Sequence, residues 1–392
     1  MTSLPPHPSP VPTGLHYQTG RPVEVTCRAG TIAHIREGED LPPGGLPWVG
    51  PGLTDLQVNG FRGIDLNAPD LSVAGLEGLT RELWSVGVTS FLPTLITNSS
   101  AATVAALRTI RRACETSRVV RQAVAGIHLE GPFISPEDGP RGAHPKAHVR
   151  APDGALLEAF REASGDLVRL VTLSPEWPGA PELIRRCVAR GIRAAIGHTA
   201  ATPDQIAAAV AAGASLSTHL GNATHQTLPR HPNYLWEQLA QDDLAASLIA
   251  DGFHLPDAVL KVAMKVKGDR AMLVSDSVSL AGLPPGPYRT HIGDQVVLTA
   301  AGKLHLDGQP NVLAGSAQPL RWGVQHLLRR NLCALPQAWD MASVVPNRFM
   351  DLPARAGLQP GAPADLVVFT WNGSDLRVLY TYKAGELVFQ QS

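Results

Sequence analysis

Fourteen histidines stand in a chain of 392 residues, and eight of them fall between His128 and His254. Several of these, with a few carboxylates, close short apolar runs: His128-Leu129-Glu130, then His198, then His219 followed by Asn222, then Asp251 and His254, then Asp276. A lone histidine in such a place usually serves its neighbours as a hydrogen-bonding group, and a lone carboxylate often caps the next helix. Recurrence at five run ends is another matter, because apolar runs ordinarily give way to Gly, Pro, Ser or Asn. Glu130, His198 and His219 supply one carboxylate and two imidazoles, a three-ligand set suited to a catalytic Zn2+ or similar divalent ion with one position left for water. Such an ion lowers the pKa of water towards neutrality and polarises a carbonyl oxygen. Asp276 would serve as general base and afterwards protonate a leaving amine. His144 and His254 could donate to a developing oxyanion or hold the substrate. Together these groups suit amide hydrolysis.

The elements that must position them alternate short apolar runs with longer helical stretches, the pattern of a parallel sheet. Eight strand candidates are readable: Gly52 to Asn59, Thr89 to Ile96, Val124 to Glu130, Leu167 to Glu176, Ile192 to His198, Ser215 to Leu220, Ala246 to Asp251 and Ala271 to Asp276. Helix-like stretches lie between them, among them Leu71 to Val86, Ala102 to Thr116, Asp153 to Ala163, Pro181 to Arg190 and Pro203 to Ala212. Gln57 to Asp276 spans 219 residues in seven steps, about 31 each, which matches roughly 250 residues shared among eight strand-helix units. The expected fold is therefore α/β, a (β/α)8 TIM-like barrel. An open doubly wound sheet is the alternative, and no GxGxxG follows the first strand to support it. In a barrel the carboxyl ends of the strands form one rim, where the polar residues above would meet.

Val23 to Cys27 and Thr31 to Ile35 read as a hairpin, and Asp40 to Gly52, rich in Pro and Gly, as a linker. Ala364 to Phe369, Arg377 to Tyr382 and Glu386 to Phe389 read as strands, so the chain ends would share a small β-sandwich domain. The expected division is residues 1–14 as a flexible tail with five prolines, 15–50 with 354–392 as the small domain, and 51–353 as the barrel. His291 to Leu298 with Lys303 to Leu306 reads as a hairpin insertion, and Gln318 to Arg330 and Leu335 to Phe349 as helices.

Composition narrows the classes. Hydrophobic residues make up 44% and charged ones 17%, enough apolar matter for a large core. A formal charge of −1 gives no overall basic field for nucleic acid or an anionic membrane, and no run approaches ~18 apolar residues. Cys27, Cys114, Cys187 and Cys333 form no CxxC pair, which argues against a disulfide framework or a thiolate zinc site and for a reducing, cytoplasmic setting.

Several stretches carry a family resemblance: Pro51 to Gly60, Gly87 to Thr94, His128-Leu129-Glu130-Gly131-Pro132-Phe133, Gly142-Ala143-His144, Gly197 to Thr202, Thr218-His219-Leu220-Gly221-Asn222-Ala223, Ala250 to His254, Val274-Ser275-Asp276 and Leu313-Ala314-Gly315-Ser316. In type and order they resemble the N-acetylglucosamine-6-phosphate deacetylase family of the amidohydrolase superfamily. The resemblance implies hydrolysis of an N-acetylated amino sugar phosphate to the free amine and acetate. It implies Glu130, His198 and His219 as metal ligands, Asp276 as acid and base, and His144 at the amide carbonyl. Ala143, Asn222, Ala223, Arg230, His254 and Leu313 to Ser316 would line the substrate site, and Arg230 would reach the site of a second subunit in a homodimer. The first strand reads Gln57-Val58-Asn59 where many relatives carry His-x-His, so one divalent ion per subunit is expected, with Zn2+ preferred over Fe2+, Co2+ or Mn2+. Gly221, Thr224 and the run Arg230-His231-Pro232-Asn233 depart from the family pattern and leave the sugar epimer and the need for phosphate open. His225, His231, Arg141 and Lys146 lie near enough in sequence to add cationic contacts.

Overall fold

The computed structural model describes residues 12–38, 45–290 and 295–391. Eight strands form one sheet in strict chain order: β1 Leu53–Val58, β2 Val88–Ile96, β3 Ile127–Glu130, β4 Val168–Leu173, β5 Arg193–Ile196, β6 Ala214–Ser217, β7 Ala245–Ile249 and β8 Ala271–Val274. All seven adjacent pairs are parallel. The last strand comes round to the first: Asn59 N donates to Ser277 O at 2.9 Å, and Ser275 N donates to the buried Asp55 Oδ1 at 3.1 Å. This is the expected barrel. A helix follows every strand, in order Val73–Ser85, Ser100–Thr116, Gly154–Ser164, Ala180–Ala189, Pro203–Ala211, Tyr234–Ala240, Asp257–Lys267 and Leu320–Arg329. Sequence dictates many of their starts. Ser72 and Ser99 cap the first two, and Thr202 with Gln205 forms a capping box on the fifth. A distinct apolar cluster joins Leu56, Leu92, Leu170, Ala195, Leu216, Ile249 and Met272, from seven strands, to Val345 and Met350. Strand β3 contributes nothing to it.

Both chain ends build a second, seven-stranded sheet, ordered Glu386–Gln390, Leu376–Lys383, Leu366–Trp371, Trp48–Pro51, Thr13–His16, Pro22–Arg28 and Thr31–Glu37. Its pairs are antiparallel except that Thr13–His16 runs parallel to Trp48–Pro51. Within the segment expected as a linker, then, Trp48–Pro51 is a strand, and it joins the N-terminal strands to the C-terminal ones. Gly50 suits that place because a Cβ there would lie 2.6 Å from Trp339 Nε1. Residues 39–44 of that segment lie outside the described residues. So do residues 1–11 of the expected tail, while Thr13 and Gly14 are already paired with Glu24 and Val23.

Two further expectations change. Leu335 to Phe349 is two helices, Leu335–Met341 and Val344–Phe349, because Pro346 has no N–H to give a continuous helix and its ring would meet the carbonyl of Ala342. The insertion after β8 is a four-stranded antiparallel sheet, Gly286–Arg289, Gln295–Leu298, Leu304–Leu306 and Gln309–Leu313, with 291–294 outside the described residues. No helix among the described residues is long and apolar enough to cross a membrane.

Candidate active site

Strand β3 ends in Glu130, while His198 and His219 each come two residues after β5 and β6. The three side chains converge. Glu130 Oε1 lies 3.0 Å from His198 Nε2 and 2.9 Å from His219 Nε2, and the two Nε2 atoms are 3.1 Å apart. All three residues are buried. Burial alone would raise the Glu130 pKa, but the adjoining imidazoles of His198 and His219 outweigh it and hold the carboxyl well below its usual range.

The donor chemistry suits a cation. His198 Nδ1 lies 3.0 Å from Pro140 O, and a carbonyl only accepts, so the ring proton sits on Nδ1 and the Nε2 lone pair faces the carboxylate. Two acceptors 3.0 Å apart repel unless a positive charge lies between them. The contact to Pro140 is the kind of outer hydrogen bond that fixes the tautomer of a ligating imidazole.

His144 stands beside this cluster, its Nε2 3.9 Å from Glu130 Oε2, and potential ligand atoms of Glu130, His144 and His198 all lie within 4.8 Å of one another. Thr97 N donates to His144 Nδ1 at 3.3 Å, so Nε2 carries the proton and points it towards the cluster. Burial, with His198 adding to it, lowers His144 to about 3, which leaves a neutral donor. Asp276 follows β8. The residue is half-buried, its carboxyl interacts with Glu130, His219 and His254, and Asn59 Nδ2 donates to its Oδ1 at 2.7 Å. Burial, reinforced by the negative charge of Glu130, pushes it up to about 7.

The remaining expected residues divide. Asn222 is tied in by its Nδ2, which donates to His219 O at 3.1 Å, and the Ala223 methyl and the His198 ring both border Gly142. Ala143 is exposed in the same turn. His254 Nδ1 lies 2.7 Å from the buried Asp251 Oδ2, so Asp251 sets the direction of that ring. Ser316 is buried and bridges to Ser277 next to Asp276, and Leu313, Ala314 and Gly315 lead into it at intermediate exposure. Arg230 is exposed and makes no ion pair with any described residue. Among the extra cations, Arg141 is engaged by Asp138 Oδ1 and His144 O, both at 2.6 Å, and His225 by Glu137 and Tyr234.

Sequence reasoning passed over Gln57 and Asn59 as groups with a role of their own. Gln57 Nε2 donates to Glu130 Oε1 at 2.8 Å, and Asn59 holds Asp276. Their spacing of two on a strand does put both on one face. Thr97, the residue that orients His144, gives no such signal.

The fold and this rim of carboxylates and imidazoles define a metal-dependent hydrolase, and the chain belongs to the amidohydrolase family, whose model matches residues 48–388. Its relatives are narrower. The N-acetylglucosamine-6-phosphate deacetylase of Bos taurus is 36% identical over 350 residues, covering 87% of this chain and 83% of that one. The Bacillus subtilis enzyme of the same name is 34% identical over 343 residues, covering 86% and 84%. The Mycobacterium smegmatis deacetylase, solved as a variant in complex with N-acetyl-D-glucosamine-6-phosphate, superposes with a TM-score of 0.81 at 28% identity, covering 94% and 95%. Within the amidohydrolases, the chain falls among the N-acetylglucosamine-6-phosphate deacetylases.

Proposed function

We infer that the protein hydrolyses the acetamide of N-acetyl-D-glucosamine 6-phosphate to D-glucosamine 6-phosphate and acetate. The observation that carries this is the meeting of Glu130 Oε1, His198 Nε2 and His219 Nε2 within 3.1 Å of one another, with Asp276 alongside. A divalent ion held by these three would polarise the amide carbonyl and lower the pKa of water. Zn2+ suits one oxygen and two nitrogens. Gln57 and Asn59 use their amide groups as donors to Glu130 and Asp276, which supports one ion per subunit rather than two. Asp276 takes the proton of the attacking water and returns it to the sugar nitrogen as the C–N bond breaks. The Nε2–H of His144 is placed to donate to the carbonyl oxygen as negative charge grows there.

Asn222, Ala223, His254 and the Leu313 to Ser316 turn are assigned to the sugar phosphate, with Ala143 beside His144. Arg230, which makes no ion pair with a described residue, is assigned to the phosphate of a second subunit. A homodimer is supported by Trp236, Val259, Val262 and Val266, all between 42% and 56% exposed on the two consecutive helices that follow the Arg230 loop. Four free cysteines suit a cytoplasmic setting. Residues 15–50 with 354–392 are assigned to the terminal sheet unit and 51–353 to the barrel.

The test is acetate release from N-acetylglucosamine 6-phosphate, its galacto epimer and the two free sugars, with metal content measured on the same sample. Turnover confined to the phosphorylated gluco substrate is expected. No release from any of the four by metal-loaded protein would refute the reading.

A further inference from the structure

Beneath the Glu130, His198 and His219 cluster lies a polar layer that the hydrolytic reading does not use. Barrel interiors are normally filled by branched apolar side chains. Here His128, Thr172 and Thr218 are 1%, 0% and 3% exposed and bonded to one another. His128 Nδ1 lies 3.2 Å from Leu56 O, a group that can only accept, so Nδ1 carries the proton. Thr94 Oγ1 stands at the edge of range on the same side, 3.5 Å away. The neutral ring then has only a lone pair at Nε2, 2.7 Å from Thr172 Oγ1, so the Thr172 hydroxyl donates to it. Having spent its proton, the Thr172 oxygen accepts from Thr218 Oγ1, also at 2.7 Å. Every direction in the chain follows from the one carbonyl, and the chain runs from β6 through β4 to β3 and β1.

Thr172 and Thr218 belong to either side of β5 and meet across it because the intervening residue is Gly197. A Cβ there would lie 2.8 Å from Thr172 Cγ2 and 2.9 Å from Thr218 Cβ. Each residue of the cluster above is thus within two positions of this layer: Glu130 follows His128 on the same strand face, His198 follows Gly197, and His219 follows Thr218.

We propose that His128, Thr172 and Thr218 form an ordered floor that fixes Glu130, His198 and His219 relative to one another, with His128 as the positioning residue for the metal site. The proposal rests on the metal-ligand reading given above. A floor that served strand packing alone would affect stability without altering the ion's surroundings, and the two roles separate in a cobalt-loaded protein, where visible absorption reports ligand geometry.

In His128→Leu the floor loses the acceptor at Nε2 to which the Thr172 hydroxyl donates. The Co2+ bands are expected to shift and kcat to fall about 10- to 100-fold, the range seen when outer partners of metal ligands are removed, with KM little changed. His128→Gln keeps a donor at one end of its amide and an acceptor at the other, and should restore both the spectrum and most of kcat. Thr172→Val keeps the imidazole and the volume, breaks the chain at its middle, and should shift the bands as His128→Leu does, which covers the case in which His128→Leu does not fold. Co2+ spectra and kcat matching wild type in Thr172→Val and in any folded His128→Leu, whatever their melting temperatures, would overturn the proposal. So would a His128→Gln protein no closer to wild type than Thr172→Val. Wild-type protein that binds Co2+ but releases no acetate would sink the deacetylase reading and leave the spectral comparison decisive, whereas one that binds no Co2+ would overturn both.

Discussion

Replacing Asn59 by Leu removes one polar contact and little else. Nδ2 donates to Asp276 Oδ1 at 2.7 Å, whereas Asn59 Oδ1 has no hydrogen-bond partner among the described residues, so its loss breaks no contact with them. A hydrogen bond to a charged group contributes about 1.5 to 3 kcal/mol. At 1.36 kcal/mol per pKa unit, its removal should raise the Asp276 pKa by about 1 to 2 units. The sign follows from the role: Asp276 works as a base only as a carboxylate, and the Asn59 bond favours the charged form. Without the donor, the carboxyl takes up its proton at higher pH, so the acid limb of the kcat/KM profile moves upward. Burial and the charge of Glu130 already push this group to about 7, and a bound cation lowers the limb in both proteins, so the displacement between them is the quantity to measure. Initial rates of acetate release at subsaturating substrate, followed across the acid and neutral range, should show Asn59→Leu about 10- to 100-fold slower below the limb and close to wild type above it. An unmoved limb with a uniformly lowered plateau would refute the reasoning, because Asn59 would then act on something other than the proton affinity of Asp276.

Asp276→Asn should retain its metal, measured by elemental analysis, while turnover falls by about 10^2- to 10^4-fold, the usual share of a general acid-base group. Lys383 and Asp365 form a buried pair at 2.6 Å that ties the terminal sheet to Ser90 of β2; Lys383→Met should cost about 3 to 5 kcal/mol in denaturant unfolding, and the added Asp365→Asn should recover part of it. Burial raises Asp55 to about 6, so the fold prefers its protonated form and loses stability as pH rises between about 4 and 6. Asp55→Asn keeps the Oδ1 acceptor for Gln57 N and Ser275 N, and should be more stable than wild type above that window, by up to about 3 kcal/mol, and no more stable below it. Gly50→Ala drives a Cβ into the Trp339 ring and should lower stability by about 1 to 3 kcal/mol, read as a fall in melting temperature.

The barrel was legible because its signals are local. Each apolar run sits between helix caps and turns that a short window contains, and β1 to β8 fall inside or within one residue of the runs read from sequence. Trp48–Pro51 escaped because its partners are Thr13–His16 on one side and Leu366–Trp371 on the other, the latter more than three hundred residues away, and a strand of Trp, Val, Gly and Pro has no periodicity of its own. The break at Ser343 escaped for a different reason: a proline at the third position of a helix reads as a helix start only once the preceding helix is known to stop. Within the site, residue type at a strand end located Glu130, His198, His219 and Asp276. Gln57, Asn59 and Thr97 show their parts only as distances, because an amide or a hydroxyl serves any acceptor it happens to face.

Backbone conformation explains why the chemical side chains can gather at the rim at all. His198, His219 and Asp276 have φ of +50°, +30° and +49°, in the left-handed region that costs a non-glycine residue about 1 to 3 kcal/mol. A strand alternates its side chains between two faces, so a residue beyond its end that kept the extended geometry would continue the alternation rather than turn over the barrel mouth. Left-handed turns just past β5, β6 and β8 redirect these three side chains, while Glu130 closes β3 within the strand. The strain is held by contacts made elsewhere: His198 O accepts from Ser135 N at 2.8 Å, His219 N donates to Ser247 Oγ at 2.8 Å, and Asp276 is held by Asn59. Glycine at these positions would remove the strain and the chemistry together. The cost of the left-handed turns therefore falls on the residues that the proposed reaction needs most.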